Sequence, residues 1–136
     1  MTPAALTRLH AACFHIPRPW REAEFASLLA ERGVFLCAEA DGFAMGRVVL
    51  DEAELLTLAV APESRRAGLG GSLLAEFEDQ ACQRGAVTGF LEVASDNRPA
   101  LALYLRADWV QVGRRPRYYA PGIDAILMRK ALIPTC

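Results

Sequence analysis

Apolar positions along this chain switch between two spacings. Leu6, Leu9 and Cys13 recur at helical intervals and predict a helix over 6–14. Phe25, Leu28 and Leu29 predict a second helix over 20–31, stopped by Gly33. The spacing then becomes that of strands, over 35–40 and 43–50, with Asp41-Gly42 as a tight hairpin signal between them. A third strand follows over 54–60, after a polar turn at Asp51-Glu52. Helical spacing returns over 70–84, where Leu73, Leu74, Phe77 and Ala81 share a face and Gly85 supplies the stop. A strand is predicted over 87–93. Asn97 then caps a short helix carrying Leu101, Tyr104 and Leu105, with Pro99 in its first turn. Strands over 109–113 and 124–129 close the chain. The order α-α-β-β-β-α-β-α-β-β predicts an α/β domain with a mixed, mostly antiparallel sheet. One parallel crossover runs from strand 54–60 through the long helix to strand 87–93.

Composition narrows the classes. The 136 residues suit a single domain, 1–136. The hydrophobic fraction is 53%, yet no apolar run nears the ~20 residues of a membrane span, and no basic start leads into an apolar block. The expectation is a cytoplasmic protein with no membrane partner. A net charge of -1 argues against direct nucleic-acid binding. The cysteines at 13, 37, 82 and 136 form no CxxC pair, and the histidines are His10 and His15, so no metal site is expected. The cysteines read as small buried hydrophobes, and neither histidine acquires a role.

Basic residues cluster at Arg114, Arg115 and Arg117, which reads as a solvated face, and at Arg65-Arg66, where glycines change the picture. Gly68, Gly70 and Gly71 lie between a predicted strand and a predicted helix. The first N–H groups of a helix lack internal partners and carry partial positive charge. Glycines let a ligand approach the backbone closely. Together with the arginines they predict a phosphate or pyrophosphate seat. No lysine follows the glycines, which excludes the GxxxxGK[ST] nucleotide loop. A dinucleotide fold remains a weak alternative, with Glu92 imitating its acidic residue. The hairpin-rich first half argues against it.

The stretch Arg65-Arg66-Ala67-Gly68-Leu69-Gly70 resembles the Q/R-x-x-G-x-G/A signature of the GNAT acetyltransferases. "LLTLAVAPESRR" resembles that family's splayed strand, and "LEVASDNRPALALYLRADW" its L-E-V-x-x-x-N-x-x-A-x-x-L-Y run. The likeness covers 54–130, and extends more loosely to "PRPWREAEF". Glu92-Val93, Asn97, Tyr104 and the final "RPRYYAPGIDAILM" are most similar to the branch that acetylates the N-terminal alanine of a small-subunit ribosomal protein.

The resemblance implies a GNAT-like fold with splayed central parallel strands flanked by helices, and acetyl-CoA as cosubstrate. Its pyrophosphate would lie on Arg65, Arg66, Ala67, Gly68, Leu69, Gly70 and Gly71. Its pantetheine arm would pair with Leu58, Ala59 and Val60 like an added strand, and Asn97 would bond it near the thioester. Glu92 would be the general base and Tyr104 the general acid, in direct transfer with no acyl-enzyme. The Val60 N–H would polarise the thioester carbonyl. Trp20, Tyr118, Tyr119 and Asp124 would touch the acceptor. Ile123 stands where relatives of that branch often carry an acid. The implied partner is a protein N-terminus, handled by a monomer or weak dimer. Acetylation of a small amine or an internal lysine, or a non-catalytic acetyl-CoA-binding module, are the alternatives.

Overall fold

The structure is a computed structural model that describes residues 1–14, 19–65 and 68–132. Two helices come first, α1 (Pro3–Cys13) and α2 (Glu22–Ala30). The Thr2 hydroxyl accepts from the Ala5 N–H at 3.1 Å, and the Glu24 carboxylate accepts from the Arg21 N–H at 3.0 Å. Each bond satisfies a donor that a helix start leaves orphaned. Then come β1 (Val34–Glu39), β2 (Gly42–Val49), β3 (Glu52–Val60), α3 (Leu69–Gln83), β4 (Thr88–Ala94), α4 (Arg98–Arg106), β5 (Val110–Ala120) and β6 (Ile123–Ala131). The six strands form one sheet in the order β1-β2-β3-β4-β6-β5. Only β3 and β4 pair in parallel, joined by the crossover through α3.

Alternation along the strands splits the core in two. On one face, Leu73, Leu74 and Phe77 of α3 bury against Phe35, Ala44, Leu55, Leu91 and Val93. On the other, Leu6 of α1 and Phe25 of α2 bury against Phe43, Met45 and Ala59. Trp109 fixes β4 to the α3 side. It is 1% exposed, and a Cβ at Gly89 would come within 2.7 Å of its ring. Its indole N–H donates to Glu78 Oε2 at 3.2 Å, while Lys130 Nζ donates to Glu78 Oε1 at 2.6 Å. The burial therefore leaves the indole satisfied.

The expected elements all form, but two local readings change. The β1–β2 hairpin turns on Ala40-Asp41, since Glu39 pairs with Gly42. Gly42 lies in the strand, where a Cβ would come within 2.9 Å of both the Ala59 carbonyl and Leu73 Cδ1. It is glycine for close packing, not for the turn. The strand expected over 109–113 runs on to Ala120. It is an edge strand, so Pro116, which lacks an N–H, costs the ladder little there. Arg117 adopts φ 56°, and the ladder is irregular between Arg115 and Ala120. Among the described residues no helix is long and apolar enough to cross a membrane.

Candidate active site at the splayed strands

The parallel ladder is short. It runs from Glu52 opposite Thr88 to Leu55 opposite Leu91 and stops. Beyond it, β3 continues to Val60 and β4 to Ala94. The cause lies on the other side of β3. Gly46 of β2 pairs with Leu55 but Met45 pairs with Thr57, which leaves Leu56 as an extra residue. Such a bulge bends its strand and increases the local twist. It sits where the two parallel strands part.

The bend exposes backbone. The Ala61 N–H donates to the Asp41 carbonyl at 2.7 Å, so Ala61 faces β2. Peptide groups alternate along an antiparallel pair. Those of Ala59 therefore also face β2, and those of Leu58 and Val60 face the gap. The Val60 carbonyl accepts from Cys13 Sγ at 3.2 Å and from Arg65 Nε at 3.3 Å. Its N–H remains directed at the gap.

The glycine turn sits at the end of β3, after one 3-10 turn at Pro62–Ser64. Gly68 is the N-cap of α3 with φ 81°, a conformation that suits glycine. Among the described residues, a Cβ there would meet nothing within 4 Å, and one at Gly71 only Leu103 Cδ1 at 4.0 Å. At Gly70 a Cβ would come within 3.3 Å of Leu103 Cδ2. Packing thus accounts for Gly70 in part, but it does not account for Gly71. Among the described residues, the turn therefore carries no side chain at Gly68 or Gly71 and leaves space there beside the N-terminus of α3. Leu69, half-buried, packs on the core beneath. Arg66 and Ala67 lie outside the described residues.

Glu92 is the first β4 residue past the ladder with β3, and it still pairs with Leu127 of β6. Leu91 and Val93 point into the α3-side core, so Glu92 points to the opposite face. Its carboxylate meets Arg115 Nη1 at 3.3 Å, with the two side chains 30% and 54% exposed. Tyr104 of α4 belongs to the α3-side core and is 6% exposed. Burial pushes its phenol well above the usual tyrosine range, so it holds its proton at neutral pH. No buried side-chain polar atom among the described residues is sealed without a partner. Asn97 caps α4, its Oδ1 accepting from the Ala100 N–H at 3.3 Å.

The acceptor-side candidates separate. Tyr118 is 54% exposed, packs edge-on to Tyr119, and carries the Arg115 guanidinium 5.5 Å above its ring. Tyr119 is half-buried, and its phenol is pushed up first by burial and then by Glu92. Asp124 is spent on its own hairpin. One oxygen accepts from the Arg117 N–H at 2.8 Å, the other from Arg114 Nε. These bonds hold it below the usual carboxylate range. Ile123 beside it is half-buried.

Two residues without a role in the sequence reading organise the other wall. His10 is 2% exposed and stacks on Phe14 and Trp20 at 4.3 and 5.1 Å. The Trp20 N–H donates to its Nδ1 at 3.1 Å, which assigns the ring proton to Nε2, and Nε2 donates to Thr57 Oγ1 at 3.1 Å. Burial drives its pKa down from 6.5 to about 4, against a smaller opposing pull from Glu24. His10 thereby ties half-buried Trp20 to the residue just past the bulge. Cys13 likewise reaches β3 through its thiol. The helical spacing that placed both in α1 held no signal of these long-range bonds.

The model of the Acetyltransferase (GNAT) family matches residues 4–109. The chain belongs to the GNAT acetyltransferase family. It is 38% identical over 129 residues to the [Ribosomal protein bS18]-alanine N-acetyltransferase of Escherichia coli K12, spanning 86% of this chain and 87% of that protein. It is 37% identical over 148 residues to the N-alpha-acetyltransferase RimI of Mycobacterium tuberculosis, spanning 96% of this chain and 92% of that one. Among solved structures it is similar to the ribosomal-protein-S18-alanine N-acetyltransferase from Escherichia coli. The TM-score is 0.84 at 32% identity, over 96% of this chain and 87% of that one. This GNAT protein is therefore an acetyl-CoA-dependent N-acetyltransferase, and its six-stranded mixed sheet is the GNAT fold.

Proposed function

We propose that this enzyme acetylates the N-terminal α-amine of a protein, and that the N-terminal alanine of ribosomal protein bS18 is its acceptor. The names of the relatives from Escherichia coli and Mycobacterium tuberculosis support that acceptor class. The observation that carries the mechanism is the placement of Glu92 and Tyr104. They belong to opposite faces of the sheet: Glu92 points away from the α3 side just past the parallel ladder, and Tyr104 of α4 is packed in the core on the α3 side. An amine attacking from one face and a thiol leaving toward the other need a base and an acid so arranged.

The fit to acetyl-CoA rests on the open space a Cβ would find at Gly68 and Gly71 and on the gap-facing Leu58 peptide and Val60 N–H of β3. The α3 N-terminus, with Arg65, Arg66 and Ala67 before it and Leu69, Gly70 and Gly71 in its first turn, would hold the pyrophosphate. Leu58 and Val60 would pair with the pantetheine arm, with Ala59 between them as their strand spacer. Acetyl-CoA supplies the activated acetyl group. The Val60 N–H would donate to the thioester oxygen. An α-amine with pKa near 8 is roughly a tenth neutral at pH 7. Glu92 would take the proton that the amine sheds, and Tyr104 would give one to the departing sulfur. The Asn97 amide nitrogen is left for the cofactor once its oxygen caps α4. Trp20, Tyr118 and Tyr119 would flank the acceptor. Asp124 acts there indirectly, by shaping the hairpin that carries both tyrosines.

A small polyamine acceptor is disfavoured by the groove at Glu92. Its lining is mainly Phe90, Leu91, Val112, Leu127 and Met128, with Glu54 at its edge. Its two carboxylates are Glu92 and Glu54, and it is an open groove rather than a deep acidic pocket. Glu92→Gln tests the mechanism. Turnover should fall about 100-fold or more while acetyl-CoA affinity stays put. Unchanged turnover removes Glu92 as the base.

A further inference from the structure

The side chains of β3 change phase at the bulge. Leu55 packs in the α3-side core and Leu56 on the α1 side. Regular alternation would return Thr57 to the α3 side. Instead its hydroxyl meets His10, whose ring stacks on Phe14 and Trp20 in the α1-side cluster. Leu58 and Val60 then lie on the α3 side, with Ala59 on the α1 side. Two successive side chains, Leu56 and Thr57, thus share one face, and the rest of β3 follows the shifted phase. The same shift decides which peptide groups face β2 and which face the gap.

The extra residue has other places to go. Taken up beyond Thr57, it would leave Met45 paired with Leu56, Ala44 with Thr57 and Phe43 with Leu58. The Leu58 and Val60 peptide groups would then turn to β2, and that of Ala59 to the gap. Hydrophobic burial opposes this slip only weakly, because every residue from Leu55 to Val60 except Thr57 is apolar. Polarity opposes it strongly. Aromatic and cysteine side chains aside, His10 and Thr57 are the buried polar residues among those described, at 2% and 8% exposed. They bond to each other at 3.1 Å. After a slip the Thr57 hydroxyl would enter the apolar core beside Ala44 and Leu73, and the His10 Nε2–H would lose its acceptor. A buried polar pair that is satisfied in one arrangement alone specifies that arrangement.

We propose that His10, acting through Thr57, is a positioning residue for acetyl-CoA. It fixes the bulge at Leu56 and so keeps the Leu58 and Val60 peptide groups turned to the gap. The inference rests on the reading that the pantetheine arm pairs with those groups. One helical turn after His10, Cys13 Sγ donates to the Val60 carbonyl at 3.2 Å. α1 therefore grips β3 at both ends of the stretch that β4 leaves unpaired. Acetyl-CoA binds the chains whose bulge is in place, so its apparent affinity falls with their fraction. Saturating acetyl-CoA draws the population back, so kcat stays.

The test compares Thr57→Val and Thr57→Ala, which both lack the hydroxyl, with Thr57→Ser, which keeps it. Titration calorimetry gives the acetyl-CoA Kd, and acetylation of a peptide that begins with alanine gives kcat and the acetyl-CoA KM. Both hydroxyl-free variants should bind acetyl-CoA about tenfold more weakly, with KM raised to match and kcat held within about twofold. Thr57→Ser should match the unaltered enzyme in all three. Phe35→Leu, a core change on β1, should lower Tm and leave acetyl-CoA affinity alone. A merely structural role reads differently. Tm then falls further for alanine than for valine, while affinity measured well below Tm does not move. That result overturns the proposal, as does a lost affinity that Thr57→Ser fails to restore. Failure of the underlying reading shows in the unaltered enzyme, by amide hydrogen exchange. Pairing with the pantetheine arm protects the Leu58 and Val60 N–H groups when acetyl-CoA binds, and without pairing their exchange is unchanged.

Discussion

Replacing Gly71 by alanine should stabilise the protein and weaken its hold on acetyl-CoA. Gly71 is exposed and is the third residue of α3, and among the described residues no atom lies within 4 Å of an added Cβ except Leu103 Cδ1 at its limit. A methyl there restricts the unfolded chain at no steric cost, a gain of about 0.4–1 kcal/mol. For a chain of this size that raises Tm by about 2 °C. Cβ atoms in a helix lean toward its N-terminus, so the methyl leans toward the proposed pyrophosphate seat. Losing one hydrogen bond to a charged group costs about 1.5–3 kcal/mol, or roughly a 10- to 100-fold loss of affinity. Gly70 is a poorer probe, because its Cβ would press on Leu103 at 3.3 Å and mix packing with binding. Thermal melts without ligand and titration calorimetry with acetyl-CoA read the two effects separately. A raised Tm with undiminished affinity would refute the seat.

Two other outcomes follow from packing and burial. Gly89→Ala drives a methyl to within 2.7 Å of the buried Trp109 ring, an overpacking that should cost about 1–3 kcal/mol in a denaturant melt. His10 has a folded-state pKa of about 4 against 6.5 when unfolded. The unfolded chain then binds more protons between those values, so stability from His10 is whole above pH 6.5 and is lost as pH falls toward 4. The unaltered protein should lose more stability between pH 7 and pH 4.5 than His10→Gln does. Equal losses would contradict a neutral, buried imidazole.

Much of the fold was legible because it depends on local pattern. The apolar stripe of α3 and its stop at Gly85, with φ 94°, both follow from nearby residues. What escaped depends on contacts far along the chain. Nothing in "LLTLAV" marks Leu56 as a bulge, because the extra residue is defined only against β2. The ion pair of Arg115 with Glu92 needs the registers of β4 with β6 and of β6 with β5. Without them the arginines read as a solvated face. Asp124 looked free to meet a substrate because its partners, Arg114 and Arg117, become neighbours only when the hairpin closes. His10 carried no role because Thr57 lies 47 residues away. Glu92 and Tyr104 became candidates through a motif, since neither periodicity nor charge alone singles them out.

The central claim is N-terminal α-amine acetylation, and one assay tests it most directly. Acetyl-CoA is offered with a peptide that begins with a free alanine, and separately with a peptide whose α-amine is blocked and which carries one internal lysine. The account predicts acetyl transfer to the first peptide alone. Transfer to the lysine of the blocked peptide, or to neither while acetyl-CoA still binds, would contradict it.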